Sequence, residues 1–389
     1  MAKRKHHLDA LHGALTTTVS PWRDYNQVKL LIDAESFFPA MLEAIASAKY
    51  YVLLEMYLFE SGNIADRFIN AFIEAADREV KVYLLLDDFG CRGLKASDRE
   101  HLKHNNIFIN YYNPLKYGTF RRNLFRDHRK ILIVDQSVAF VGGAGITDDF
   151  QTFDRENPGW RETMISIKGE CVQDWVEVFS HVWQLYSNIM LPIVSSVQTQ
   201  SQHPIPSRVI CALGSERQGI KSSVLKRIRN SERTCWIATA YFVPSFKIRG
   251  ALGRAAKRGV DVRLLLPGPI SDHPAIRLAA RRFYYQLLKE GAKIYEYQPR
   301  FMHQKVLLCD AWVSIGSSNI DRWNFRWNLE ANQEVEDQDF VNSVTKMFEQ
   351  DFSESKQYFL ESWERRAWYY RLQEWFWGHV DRFIDRYIR

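Results

Sequence analysis

The sequence predicts an α/β protein of two tandem lobes with pseudo-two-fold symmetry, each a sheet sandwiched by helices, with the active site between the lobes. Three observations lead there. Short apolar segments of strand length alternate with helical ones. The order of these segments repeats once along the 389 residues. One short motif, His-x-Lys-x-x-x-x-Asp, falls at the same place in both repeats, as His128–Asp135 and His303–Asp310.

The first repeat reads IASAKYYVLLEMYLFE, a helical stretch Ile64–Ala76, KVYLLLDD, HNNIFINYYNP and FRDHRKILIVDQSVAFVGGAGI. The second reads RIRNSERTCWIATAYFVP, a helical stretch Ile248–Ala256, DVRLLLPG, EGAKIYEYQP and FMHQKVLLCDAWVSIGSSNI. Both give strand, helix, strand, helix, strand, hairpin. Leu84-Leu85-Leu86 aligns with Leu264-Leu265-Leu266, Tyr57 with Tyr241 and His128 with His303, at offsets of 175 to 184 residues. The strands are continuous apolar runs, so helices are expected on both sheet faces. The polar stretch SSVQTQSQHPIPS (195–207) reads as a linker. The predicted organisation is an N-terminal extension (1–25), a first lobe (26–194), the linker, a second lobe (208–355) and an aromatic, basic C-terminal segment (356–389).

Composition narrows the class. Hydrophobic residues at 46% and charged residues at 25% exclude wholesale disorder. Five scattered cysteines without a CxxC pair speak against a disulfide scaffold or zinc ribbon and for a reducing compartment. No apolar run is long enough to span a bilayer, and the N-terminus carries no signal-like apolar region. A net charge of +6 favours an anionic partner.

On a strand, residues i and i+2 share a face, so His128 projects beside Lys130 and His303 beside Lys305. Each pair offers an imidazole that titrates near neutrality and an ammonium that can hold a phosphate oxygen. Two copies facing each other suit one phosphodiester: one imidazole attacks phosphorus, the other protonates the leaving oxygen, and the lysines hold the charge. Asp135 and Asp310 complete the motifs and are counted in the candidate catalytic set. Their position at a strand–turn boundary points to capping the turn or tying the lobes. Gly316-Ser317-Ser318-Asn319 follows the second motif. Ser317, Ser318 and Asn319 can donate to phosphate oxygens, and a helix N-cap is the alternative for the serines.

These residues resemble the phospholipase D superfamily, whose signature is HxKxxxxD with a downstream GSxN. The likeness runs over about residues 26–345. It is similar in detail to bacterial cardiolipin synthases lacking N-terminal transmembrane helices, through LLIDAESFFPAMLEAI (30–45), LLEMY (53–57), AYFVP (240–244), Arg277–Leu288 and GSSNIDRWNFRWNLEAN (316–332). The resemblance implies a two-step transfer through a phosphohistidine, with no metal and no cofactor. His128 would attack, His303 would act as general acid and then base, and Lys130, Lys305 and Asn319 would hold phosphate oxygens. A downstream acid would orient the imidazole of its own lobe: Glu330 for His303 and Glu162 for His128. Two departures stand out. The first lobe has Gly142-Gly143-Ala144-Gly145 where GSxN would be, so the site should be asymmetric, and the second hairpin is one residue shorter.

Arg121, Arg122, Arg126 and Arg129, with Arg277, Arg281 and Arg282, are expected beside the site, interleaved with Tyr111, Tyr112, Tyr117, Phe120 and Phe125. They would serve a lipid headgroup or a nucleic-acid backbone equally. The C-terminal segment decides between them. Trp368, Leu372, Trp375, Phe376, His379, Phe383 and Tyr387 fall on one helical face with arginines largely off it, the make-up of a membrane-interfacial helix. The expected activity is that of a cardiolipin synthase-type phosphatidyltransferase, peripheral on the cytoplasmic side of the cell membrane. It would move a phosphatidyl group from phosphatidylglycerol to a second phosphatidylglycerol (or another alcohol) and release glycerol. Its partners would be anionic phospholipid and the membrane surface rather than nucleic acid. The alternative is a phospholipase D-type hydrolase or a phosphodiesterase nuclease.

Overall fold

The computed structural model describes residues 18–118, 122–152, 158–192, 204–213, 217–368 and 377. In the first lobe the strands are β1 (Asn26–Ile32), β2 (Tyr51–Met56), β3 (Lys81–Asp87), β4 (Ile107–Tyr112), β5 (Lys130–Val134), β6 (Val138–Gly142) and β7 (Thr163–Gly169). In the second they are β8 (Ser207–Leu213), β9 (Thr234–Thr239), β10 (Asp261–Pro267), β11 (Lys293–Tyr297), β12 (Lys305–Cys309), β13 (Trp312–Gly316) and β14 (Asn328–Val335). The first sheet runs β1-β7-β6-β5-β2-β3-β4 and the second β8-β14-β13-β12-β9-β10-β11, the same order strand for strand. Short strands Arg217–Gln218 and Ser355–Tyr358 extend the two edges of the second sheet.

In each lobe the three strands at one end are parallel and the rest antiparallel. Met56 at the end of β2 therefore faces Lys130 at the start of β5, and Thr239 faces Lys305. Both motif lysines thus sit at the edge where the parallel strands finish. Alternation through the sheets accounts for the uninterrupted apolar runs. Leu53, Ile131 and Ile133 face a core shared by both lobes, while Val52, Leu54 and Leu132 face the outer helices Ala34–Ala46 and Asn63–Asp77. Helices Cys171–Tyr186 and Gln338–Ser353 contribute to the shared core, and Gly219–Asn230 and Phe246–Lys257 cover the outer face of the second sheet.

Each lobe opens with a strand that the repeat reading did not include, β1 and β8. In NQVKLLI the signal was alternation, and β1 is half exposed where β2 is buried through. Residues 18–23 cross to the second lobe, with Val19 and Arg23 bridging Ile210 and Ser207. The linker falls largely outside the described residues, as do 369–376 and 378–389, which hold most of the aromatic stripe. Trp363 is core: it is 2% exposed, with Tyr284 at 5.0 Å and Tyr358 at 5.1 Å.

The motif aspartates close the hairpins. Asp135 and Asp310 both have φ near 51°, a left-handed turn conformation that Asp tolerates. Asp135 accepts from the backbone N–H groups of Lys49, Tyr50 and Tyr51 at 2.7–2.8 Å. Asp310 accepts from Glu232, Arg233 and Thr234 at 2.9–3.0 Å. Each thereby pins its hairpin to the chain entering β2 or β9. Five residue steps along the strand, about 16 Å, separate each aspartate from the lysine at the other end. The two therefore leave the candidate catalytic set and act as turn caps.

Partial burial pushes the Asp310 carboxyl up, but the three backbone donors and Arg233 outweigh it and hold it below the usual range. Because the folded state favours the ionised form, its stabilisation is present above the unfolded value of about 3.9 and fades as pH falls below it. Asp310→Ala should cost about 2–3 kcal/mol in urea unfolding at pH 7. The difference from wild type should shrink below about pH 4.

Candidate active site

Two short backbone crossings build the site. The segment Arg126–Asp127 leaves the first lobe and pairs in parallel with the start of β14, Asp127 opposite Leu329. The next N–H, that of His128, donates to the Leu329 carbonyl at 3.0 Å. Reciprocally, Arg161 bridges Met302, and the His303 N–H donates to the Arg161 carbonyl at 2.8 Å. The residue after Leu329 is Glu330, and the residue after Arg161 is Glu162. Each carboxylate consequently lands on the imidazole of the other lobe. His128 Nδ1 lies 2.9 Å from Glu330 Oε1, and His303 Nδ1 lies 2.6 Å from Glu162 Oε2. The within-lobe pairing expected above is overturned, because the backbone exchange carries each acid across the boundary.

The lysines brace the same loops. Lys130 Nζ donates to the His128 carbonyl at 2.7 Å and stands 5.0 Å from the centre of the Tyr57 ring, which meets the His128 ring edge-on at 4.7 Å. Lys305 Nζ donates to the His303 carbonyl and lies 3.6 Å from Glu162 Oε2. His303 feels the charge of Lys130 and of His128, and His128 feels that of Lys305. The two couples share one site, and only 12% of the His128 side chain and 9% of the His303 side chain meet solvent.

Desolvation governs the protonation states. It is the largest influence holding both imidazoles well below their ordinary value, with the two lysines reinforcing it. The same burial pushes Glu162 up to about 7 and Glu330 up to about 8, partly offset by Lys305 and Lys130 respectively. It also lowers Lys130 to about 7, with Lys305 adding to the fall and Glu330 opposing it. Each histidine–glutamate couple is thus driven toward neutrality. A neutral imidazole that donates its Nδ1–H to the carboxyl keeps Nε2 unprotonated for attack, and the glutamate stabilises the imidazolium that forms; one whose Nδ1 accepts from a protonated glutamate carries on Nε2 the proton that a leaving oxygen needs.

Asn319 Oδ1 accepts from Tyr241 N–H at 3.3 Å and Thr239 Oγ1 at 3.2 Å, while its buried Nδ2 has no partner among the described residues. That fixes the amide orientation and leaves a donor for an anion. Ser318 Oγ is likewise buried without a partner among the described residues. Ser317 instead donates its hydroxyl to Glu330. In the first lobe Gly143 takes the position of Ser317, and a Cβ there would lie 2.2 Å from Glu162 Oε2. The donors are therefore on the second lobe only, so the chemistry of the site is lopsided although its backbone is symmetric.

The basic cluster expected beside the site largely dissolves into internal pairs. Arg129 is on the opposite face of its strand from His128 and Lys130, wholly buried against Glu55 at 3.2 Å. Arg126 pairs with Asp87, and Arg277 and Arg281 pair with Glu296. Tyr112 is core, and Arg121 and Phe120 lie outside the described residues. Sequence reasoning missed Glu55, whose charge inside an apolar strand was the available signal. It also missed Asp272, which accepts from the Tyr241 hydroxyl and acts on His303 and Lys305.

Comparison with known proteins places this arrangement. The family model described as "Cardiolipin synthase, PLD-like domain" matches residues 41–183 and again 224–352. The chain is 33% identical over 339 residues to a probable cardiolipin synthase, YwiE, of Bacillus subtilis (strain 168), covering 85% of this chain and 67% of that protein. It is 32% identical over 366 residues to a cardiolipin synthase of Clostridium perfringens (strain 13 / Type A), covering 91% and 76%. Among solved structures, phosphatidylserine synthase of Haemophilus influenzae Rd KW20 superposes with a TM-score of 0.69 at 12% identity, over 90% of this chain and 92% of that one. Polyphosphate kinase of Porphyromonas gingivalis superposes at 0.57 and 14% identity, over 83% and 46%. Those two likenesses speak to the fold, whereas the duplicated family match and the identity across most of the chain settle the lineage: the protein belongs to the cardiolipin synthase family of phospholipase D-like phosphatidyltransferases.

Proposed function

We propose that the protein transfers a phosphatidyl group from one phosphatidylglycerol to another through a phosphohistidine, making cardiolipin and releasing glycerol. The observation that carries this is the reciprocal pair of histidine–glutamate couples, with two lysines, in one buried site. In the first step His128 Nε2 bonds to phosphorus, the bond from phosphorus to the glycerol oxygen breaks, and His303 gives that oxygen its proton. In the second, the acceptor hydroxyl returns a proton to His303, its oxygen bonds to phosphorus, and the P–N bond breaks. Lys130, Lys305 and Asn319 hold the non-bridging oxygens. Low exposure of both imidazoles favours an alcohol over water as acceptor. Four of the seven flanking arginines are paired with carboxylates inside the fold, which leaves little for a nucleic-acid backbone. No helix among the described residues is long and apolar enough to cross a membrane. The exposed Trp368 and Phe246 support peripheral contact with anionic lipid, on the cytoplasmic side in this reading.

Incubation with phosphatidylglycerol alone should yield cardiolipin and glycerol on chromatographic separation; phosphatidic acid as sole product would make the protein a hydrolase. With lipid labelled in its phosphatidyl part, His128→Ala should abolish label on the protein. Glu330→Gln should slow labelling by about 10²–10⁴-fold, because it disorients the attacking ring. Glu162→Gln should slow both labelling and discharge of the labelled protein, since its ring serves the departing glycerol and then the alcohol. Label on His128→Ala but none on His303→Ala would reverse the roles of the histidines.

Lys130 must be protonated to hold phosphate, and its ammonium is lost as pH rises through about 7. In stopped assays kcat/KM should therefore fall about tenfold per unit well above that point. Lys130→Arg, slower overall, should lose this alkaline limb because the guanidinium stays charged.

A further inference from the structure

Beside the site, on the second-lobe side, lies a cavity of about 340 Å³. Ile276 and Ala279 of helix Pro274–Arg281, together with Val243, Trp323 and Trp377, give it mostly apolar walls, and Tyr241 and His273 also line it. Asp321, the carboxylate on its rim, already accepts from the backbone of Trp323 at 2.7 Å and of Asn324 at 2.8 Å. The volume is within the range of about 300–1,000 Å³ usual for small-molecule sites. Against the apolar part of these walls, glycerol or a free phosphate would leave polar groups without partners. A hydrocarbon chain would not.

Tyr241 ties the cavity to the chemistry. Its N–H orients Asn319, and its hydroxyl donates to Asp272, which acts on His303 and Lys305. Through Tyr241 the cavity is linked to Asn319 and, by way of Asp272, to His303, which serves the alcohol in the second step, whereas Tyr57 packs against His128. Three residues beyond Val243 the chain presents Phe246, 78% exposed, so the polypeptide around the cavity offers apolar surface outward as well.

We propose that this cavity holds an acyl chain of the acceptor phospholipid, so that acceptor choice depends on chain length at a place separate from the phosphate-holding groups. The inference rests on the phosphatidyltransferase reading above. Two steps can be followed separately in the full-length protein on phosphatidylglycerol vesicles: the initial burst of glycerol, which reports attack on the donor, and cardiolipin, which reports acceptance. Ala279→Trp fills the cavity. It should leave the burst as in wild type and lower cardiolipin formation by at least about tenfold. Dihexanoyl phosphatidylglycerol added as acceptor should restore transfer to the wild-type rate, because its chains need no cavity. Ile276→Trp, at a half-buried position on the same wall, tests the same point if Ala279→Trp does not fold. An equal loss of burst and cardiolipin, or a dependence on acceptor chain length unchanged in both variants, would overturn the assignment. Absence of cardiolipin with the wild-type protein would instead count against the phosphatidyltransferase reading.

Discussion

The carboxylate that orients each imidazole in this protein comes from the other lobe. The His128 N–H holds the Leu329 carbonyl and the His303 N–H holds the Arg161 carbonyl, and these two backbone bonds set where Glu330 and Glu162 fall. Docking of the lobes and assembly of the site are therefore one event. Buried charge around the crossings fixes their register. Arg161 pairs with Asp351 at 2.9 Å and with Asp33 at 3.2 Å, and Arg300 reaches Asp33 as well. Under the other crossing Arg129 meets Glu55 and donates its N–H to Asp127. Buried ion pairs of this kind add little net stability, but they penalise a slipped alignment because removing one partner strands the other.

The same desolvation that sets the electrostatics follows from the crossings. With the lobes closed over them, imidazoles, carboxyls and ammoniums all lose water, and each is displaced toward its neutral form. A phosphodiester anion entering such a site meets lysines whose protonated state it stabilises. Substrate binding and charging of the site would then reinforce each other.

Much of this was legible in the primary structure. The histidine and lysine of each motif show themselves by duplication and by the two-residue spacing that puts them on one strand face. The α/β class and the order of six elements in each repeat follow from apolar runs that alternate with helices. The pairing of acids with imidazoles was not legible, because a repeat suggests that each half is self-contained, and only the three-dimensional exchange of Arg126–Asp127 and Arg161 reveals otherwise. Charge was misread for a related reason. Arg129 looks like part of a basic patch in a linear string, yet strand alternation sends it away from its neighbours into a buried pair. The aspartates were grouped with the histidines by motif, although their turn geometry already pointed to a capping role.

Gly143 carries a last consequence. It sits where the second lobe has Ser317, and Glu162 fills the space that any side chain there would need. A serine there would require the carboxylate on which His303 relies to shift. The two halves, alike in fold, are thus no longer interchangeable at this position: the first leaves its space to a carboxylate, where the second holds the equivalent carboxylate with a hydroxyl.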